Sequence, residues 1–169
     1  SPPKEAEAAT SLINGGVDVM YQNTNSPSVL KTAEERGVRA FGKDGDMSAY
    51  APKALLGSAV IDWGPYYTKV VGDTLAGQWQ GGAHWWGVKE GAIDLLKIAD
   101  DVPQEIKDRV AKARAGLQDG SFAVWTGPIK DNTGKEVLAA GQVGDLPFLT
   151  SINFYVAGVE GKVPGTEGK

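Results

Sequence analysis

A chain of 169 residues, 41% apolar and 22% charged, is long enough for one domain or two small lobes of ordinary globular composition. Its formal net charge of −4 argues against a nucleic-acid or anionic-membrane surface, because both need a basic face. The absence of cysteine excludes disulfides, thiolate catalysis and cysteine–zinc sites, and no Gly-x-Ser-x-Gly elbow accompanies the single histidine, His84, to make a serine hydrolase.

The chain opens on a predicted helix. Pro2 and Pro3 suit a first turn, Ala6, Ala8, Ala9, Leu12 and Ile13 line one face, and Gly15-Gly16 stop it. Val17–Tyr21 reads as a short buried parallel strand. Ser26 is a good N-cap with Pro27 at the first helical position, and Val29, Leu30 and Ala33 give the next helix a buried stripe up to Gly37. Val38–Phe41 and Leu55–Ile61 are the next strands, and Gly64-Pro65 opens a helix running to Gly77. Gln78–Gly91 is rich in Gly and Trp, and Trp79, Trp85 and Trp86 are expected in the core. Pro103 begins an amphipathic helix carrying Ile106, Val110, Ala113 and Leu117, closed by Gly120. Ser121–Trp125 and Ile152–Val156 read as strands, Pro128–Leu138 as a hairpin turning at Asn132-Thr133-Gly134, and Gly161–Lys169 as a mobile tail.

No run approaches the roughly 18 apolar residues of a spanning helix. Ser1 starts no secretory leader, and an exported, trimmed chain would lack one too. The lone helix ahead of the first strand has no earlier strand beside it, so the chain reads as the second half of a larger α/β protein. Both polar loops of the opening strand–helix–strand unit, Gln22–Ser26 and Gly42–Asp46, follow the carboxyl ends of their strands, where open parallel sheets bind ligands. The task this implies is holding a small polar molecule.

Several blocks, in order, resemble one family. They are Gly16-Val17-Asp18-Val19, the loop Gln22–Ser26, Arg36-Gly37-Val38, and Phe41-Gly42-Lys43-Asp44-Gly45-Asp46. Trp63-Gly64-Pro65-Tyr66-Tyr67, Gly87–Gly91, Thr126–Asp131 and Asn153–Val159 continue the match, which covers roughly Pro2 to Pro164. The family is the basic membrane protein family of ABC-transporter substrate-binding proteins. The resemblance implies the type I periplasmic-binding fold, α/β with a parallel sheet and flanking helices, of which this chain matches the C-terminal half. Residues 1–60 would then be part of the second lobe, 61–120 the return to the first lobe, and 121–169 the C-terminal strands, hairpin and tail.

The resemblance further implies capture of a purine base or nucleoside outside the cytoplasm, in the periplasm or on a lipid-anchored protein, and its delivery to an ABC permease. The rest of the same protein would be a further partner. Nucleoside-binding members hold ribose with an Asp that Asp44 matches and with a Lys about 17 residues later, after a Ser that Ser58 matches. The Lys position is Ile61 here, followed by Asp62-Trp63, which turns the resemblance towards the branch that binds free bases.

Asn23, Asn25 and Ser26 can donate and accept, Asp44 can accept from a ring N–H, and Trp63 offers a flat indole to a flat base. These five are the expected ligand-binding residues; no catalytic residue, metal or cofactor is expected. Each also has a plainer reading: the Asn and Ser residues as turn formers, Asp44 as a local cap, Trp63 as core. His84 is expected to be solvated or hydrogen-bonded. Two other functions compete. Asp44 and Asp46, two apart on one strand face, could hold a metal in a nucleoside-processing enzyme. A sensory ligand-binding domain would share the fold.

Overall fold

Three short apolar runs become the three parallel strands of one sheet. The computed structural model describes residues 1–164. In chain order it contains α1 (Pro2–Asn14), β1 (Val19–Tyr21), α2 (Ser28–Arg36), β2 (Arg39–Asp44), a 3-10 turn (Ser48–Tyr50), β3 (Leu55–Ile61), α3 (Gly64–Leu75), β4 (Ile93–Leu96), α4 (Gln104–Asp119), β5 (Ile129–Lys130), β6 (Glu136–Leu138) and α5 (Leu146–Thr150). Contacts divide it into two units, Ser1–Asp119 and Gly120–Lys169.

The first unit carries the sheet β1-β2-β3-β4, with β1, β2 and β3 parallel and β4 antiparallel to β3. Its core lies between the sheet and the pair α1–α2: Ala9, Met20, Val29, Leu30, Ala33, Ala40 and Leu55 are buried together, with Ile13, Val17 and Val38 packed against them. Gly37 at φ 71° ends α2 in the left-handed conformation, and the chain turns at once into β2. Gly42 is required by close approach, since a Cβ there would sit 2.6 Å from Ser58 Oγ on β3. Ala59, Ile93 and Leu95 line a cavity of about 300 Å³ with Val110, Ala113 and Leu117, the expected apolar stripe of α4. An Arg114–Asp94 ion pair also ties α4 to β4. Helix α3 buries no residue and presents Tyr67, Val71 and Leu75 to solvent at one-turn spacing.

Several expectations are corrected. Strand β2 runs on through Gly42-Lys43-Asp44, because pairing of residues 41–44 with 57–60 of β3 outweighs the poor strand propensity of glycine and charged residues. Leu12 is exposed, and Ala9 with Ile13 carries the contact of α1 instead. Helix α2 is capped by Pro27 rather than Ser26, whose side chain is turned towards Glu5 and Ser28. Strand β4 lies directly after the Gly-rich stretch that reads as irregular. Trp79 and Trp85 are exposed, not core, since no element of this unit covers the segment after α3.

The second unit is built mostly of turns around the β5–β6 hairpin. Leu138 is buried at 1% exposure, and Trp125, Phe148 and Phe154 make a chain of ring contacts at 5.8 and 6.2 Å. Asp131 Oδ1 accepts from Thr133 N and Lys135 N at 2.9 and 3.0 Å, fixing the expected hairpin turn. Neither Ser121–Trp125 nor Ile152–Val156 forms a strand: Val156 makes an isolated bridge to Asp131, and Trp125 and Tyr155 each accept a backbone bond, from Gly144 N and Asn132 N, without a continuous ladder. Asp145 caps the unforeseen α5 by accepting from Phe148 N at 2.9 Å, ahead of Pro147. The expected tail from Gly161 lies beyond the described residues after residue 164.

Arg39 joins three segments. Its guanidinium donates to both oxygens of Asp101 at 2.6 and 3.0 Å and to the carbonyls of Ala54 and Leu55 at 3.3 Å each. These hydrogen bonds, and then the charge behind them, hold the Asp101 carboxyl below its ordinary value of 3.8. A carboxyl with a depressed folded pKa adds stability above its unfolded pKa and loses it as pH falls through the folded one. Asp101→Asn should therefore lower the thermal midpoint at neutral pH, and the two midpoints should converge as pH drops below 3.8. A gap that persists in acid would rule out the charge pair as its cause.

Candidate functional site

Because β1, β2 and β3 are parallel, their carboxyl ends share one edge of the sheet. Gln22–Ser26, Asp44–Asp46 and Asp62-Trp63 emerge there side by side. Asp44, the last residue of β2, has φ 67°, a left-handed conformation that Asp tolerates better than most residues. Neighbouring side chains in a strand point to opposite faces. The turn at Asp44 breaks that alternation and lets Lys43 Nζ lie 2.6 Å from Asp44 Oδ2. Asp46 faces another cation, Lys97, at 3.5 Å, and accepts from Ser48 N at 2.9 Å. The Ser48 hydrogen bonds, with Lys97 adding to them, depress its carboxyl pKa. Asp44 and Asp46 thus turn to separate lysines, and among the described residues no cluster of three or more His, Asp or Glu could hold a metal ion.

The β1 loop divides. Asn23 and Asn25 are exposed, and Asn23 borders a groove between this loop and α1. Ser26 Oγ is engaged inside the fold, with Glu5 and with Ser28 Oγ at 2.9 Å, and the Ser26 hydrogen bond holds the Glu5 carboxyl below its ordinary pKa. Gln22, which sequence reasoning did not single out, is buried. Its Oε1 accepts from Thr24 Oγ1 at 2.6 Å and its Nε2 lies 3.7 Å from Met47 Sδ, so it links the first loop to the second. Met47 N in turn donates to buried Ser58 Oγ at 3.2 Å.

Trp63 stands at the rim of a cavity of about 330 Å³ walled by Trp63, Tyr66, His84 and Trp86, with Ile61 and Asp62 beside them. The Tyr66 ring meets Trp63 at 74° and 6.4 Å, and Trp86 at 90° and 5.4 Å, so each indole makes a corner with it. His84 lies 5.5 Å from the same ring, and Tyr67 stacks on Trp63 at 5.9 Å and 21°. Asp62 Oδ1 accepts from Gly64 N at 2.8 Å at the start of α3. Asp44 is in register with Val60, the residue before Ile61, so the end of β2 lies one strand spacing, about 4.8 Å, from the strand that carries Ile61 into the cavity wall. The structure thus brings Asp44 and Trp63 to adjacent strand ends. It leaves Asn23 and Asn25 one strand further out, with Ser26 turned to α1. Tyr66, His84 and Trp86 were not among the expected site residues, although Tyr66 falls inside the Trp63–Tyr67 block.

A parallel α/β sheet with three loops on one edge, an acidic residue at the end of β2 and an aromatic cavity beside β3 is the arrangement in which open α/β sheets hold small ligands. The family model described as "ABC transporter substrate-binding protein PnrA-like", Bmp, matches residues 2–119, and the chain belongs to that family. The class binds ligands outside the cytoplasm and does no chemistry on them. A purine-binding protein of Brucella abortus is 40% identical over 163 residues, covering 96% of this chain and 46% of that protein. A Haloferax volcanii protein, named provisionally as an ABC transporter glucose-binding protein, is 30% identical over 163 residues, 96% of this chain and 39% of that protein. The chain thus spans less than half the length of these relatives. Among solved structures, a transcriptional activator of the comK gene from Bacillus halodurans aligns with TM-score 0.66 and 21% identity over 72% of this chain and 44% of that one. An ABC transporter solute-binding protein from Conexibacter woesei aligns with TM-score 0.56 and 22% identity over 73% and 42%. Both share the fold.

Proposed function

We propose that the protein containing this chain captures a purine base outside the cytoplasmic membrane and delivers it to an ABC permease. The observation that carries the reading is that Asp44 ends β2 and Trp63 follows the end of the adjacent parallel strand β3, which puts an N–H acceptor and a flat indole on the same edge of the sheet. A purine has two π faces and an edge of ring N–H, amino or carbonyl groups, and such a pair matches both. The purine-binding name of the Brucella abortus relative supports the same ligand class. Asn23, Asn25 and Ser26 are the proposed polar rim on the β1 side. In this reading residues 1–60 are part of the second lobe, 61–120 return to the first lobe, and 121–169 are the C-terminal stretch that carries the β5–β6 hairpin. Closure would bend at β3, around Ser58–Ile61, and bury the ligand edge. A periplasmic or lipid-anchored setting belongs to the same reading.

Titration of the complete gene product with adenine, hypoxanthine, a purine nucleoside and glucose tests it. One purine should bind with a Kd of about 1 µM or tighter, unchanged by EDTA and recovered intact. Saturable glucose binding without purine binding would move the protein to the sugar named for its Haloferax volcanii relative. Metal-dependent consumption of the nucleoside would instead favour an enzyme.

A further inference from the structure

We propose that the cavity walled by Trp63, Tyr66 and Trp86 is the base-stacking chamber of this protein, and that it admits uncharged purine bases and excludes nucleotides. The inference rests on the purine reading above and adds the residues that hold the ring. Its volume, about 330 Å³, is near the lower end of the range for small-molecule pockets, which suits a bare heterocycle. Its walls are aromatic, and the near-perpendicular settings of Trp63 and Trp86 against Tyr66 let one ring stack on a flat face while a neighbour meets its edge. Among the described residues no Lys or Arg lines it, so a phosphate would enter without a counter-charge from this chain's wall, beside the Asp62 carboxylate. Asp62 keeps one oxygen on Gly64 N and has a second to accept a ring or amino N–H, while His84 offers an imidazole on the same wall. The chamber opens beside β3, whose neighbour β2 carries Asp44, so stacking and edge recognition fall on adjacent strands.

The test uses the complete gene product and calorimetric titration with the purine that binds best. Tyr66→Ala and Trp86→Ala should each weaken binding about tenfold or more, whereas Trp79→Ala and Trp85→Ala, exposed and outside the chamber, should leave it within about twofold. Asp62→Asn keeps an amide oxygen to accept from Gly64 N and should also weaken binding. The corresponding nucleoside 5′-monophosphate should bind at least about tenfold more weakly than the base. If an alanine variant fails to fold, Trp86→Phe keeps an aromatic wall and should lose the part of the indole fluorescence quenching that purine produces in the wild type. Wild-type affinity in Tyr66→Ala and Trp86→Ala, or unchanged quenching in Trp86→Phe, would overturn the chamber while leaving purine capture intact. Absence of purine binding in the wild type would overturn purine capture, and the chamber with it.

Discussion

Leu30→Ala should cost about 2–5 kcal/mol of stability, towards the upper end of that range. Leu30 is fully buried on α2 and sits where α1, α2 and the sheet meet. The cost of a large-to-small change depends on how far its surroundings can collapse into the space left behind. Around Leu30 they can collapse very little, because Ala9, Ala33, Ala40, Ala51 and Ala54 make up most of that cluster. An alanine methyl is fixed to the backbone and has no rotamer with which to swing inward. Within the buried cluster only Met20, Val29 and Leu55 have longer side chains, and the others that could repack, Ile13, Val17, Val38 and Met47, lie at its edge. Leu30→Met, which nearly conserves volume, should cost less than about 1.5 kcal/mol. Urea unfolding of the three proteins measures both values. A Leu30→Ala cost below about 1 kcal/mol would mean that α1 and α2 close onto the cavity as rigid bodies.

The residues that set this core were legible because they repeat at helical or strand spacing. Val29, Leu30 and Ala33 mark one face of α2, and the apolar runs of β1 and β3 need no partner to be recognised. The carboxyl end of β2 was harder to place. Gly42, Lys43 and Asp44 have the composition of a loop, yet pairing with β3 keeps them in the sheet, and Gly42 is there because Ser58 leaves no room for a side chain. Strand β4 was hidden by a different cause: Ile93–Leu96 has no alternation, and its place depends wholly on the free edge of β3. Helix α5 did carry a signal, Asp145 before Leu146-Pro147, which is an N-cap followed by a proline in the first turn. In the second unit, residues 121–125 and 152–156 have strand composition without strand partners, and composition alone cannot reveal a missing partner. The site shows the same division. Asp44 and Trp63 stood out as chemically suited groups next to strand ends. Trp86 was expected in the core and Tyr66 only as part of a helix, since an aromatic ring reads the same in sequence whether it faces a core or a cavity.

Asp44→Asn should weaken purine binding by about 10- to 150-fold while leaving stability within about 0.5 kcal/mol of the wild type. The two parts of this expectation come from different features of the residue. Asn tolerates the left-handed conformation as Asp does, so the backbone at φ 67° is retained, whereas alanine would add strain there. The pair with Lys43 is half-exposed, with side chains 24% and 47% accessible, and an ion pair in that setting contributes little to folding. What the substitution removes is a charged acceptor for a ligand N–H, and a hydrogen bond to a charged group is worth about 1.5–3 kcal/mol. The amide that replaces it also brings its own N–H₂ group towards the ligand's donors. Lys43→Met gives the complementary measurement, because it leaves the carboxylate and removes its cation. If Asp44 is the acceptor, Lys43→Met should retain far more purine affinity than Asp44→Asn. Calorimetric titration with matched thermal melts reads both quantities. Equal affinity in wild type and Asp44→Asn would remove Asp44 from the ligand edge, and a loss of binding that tracks a loss of stability would return it to a purely structural role.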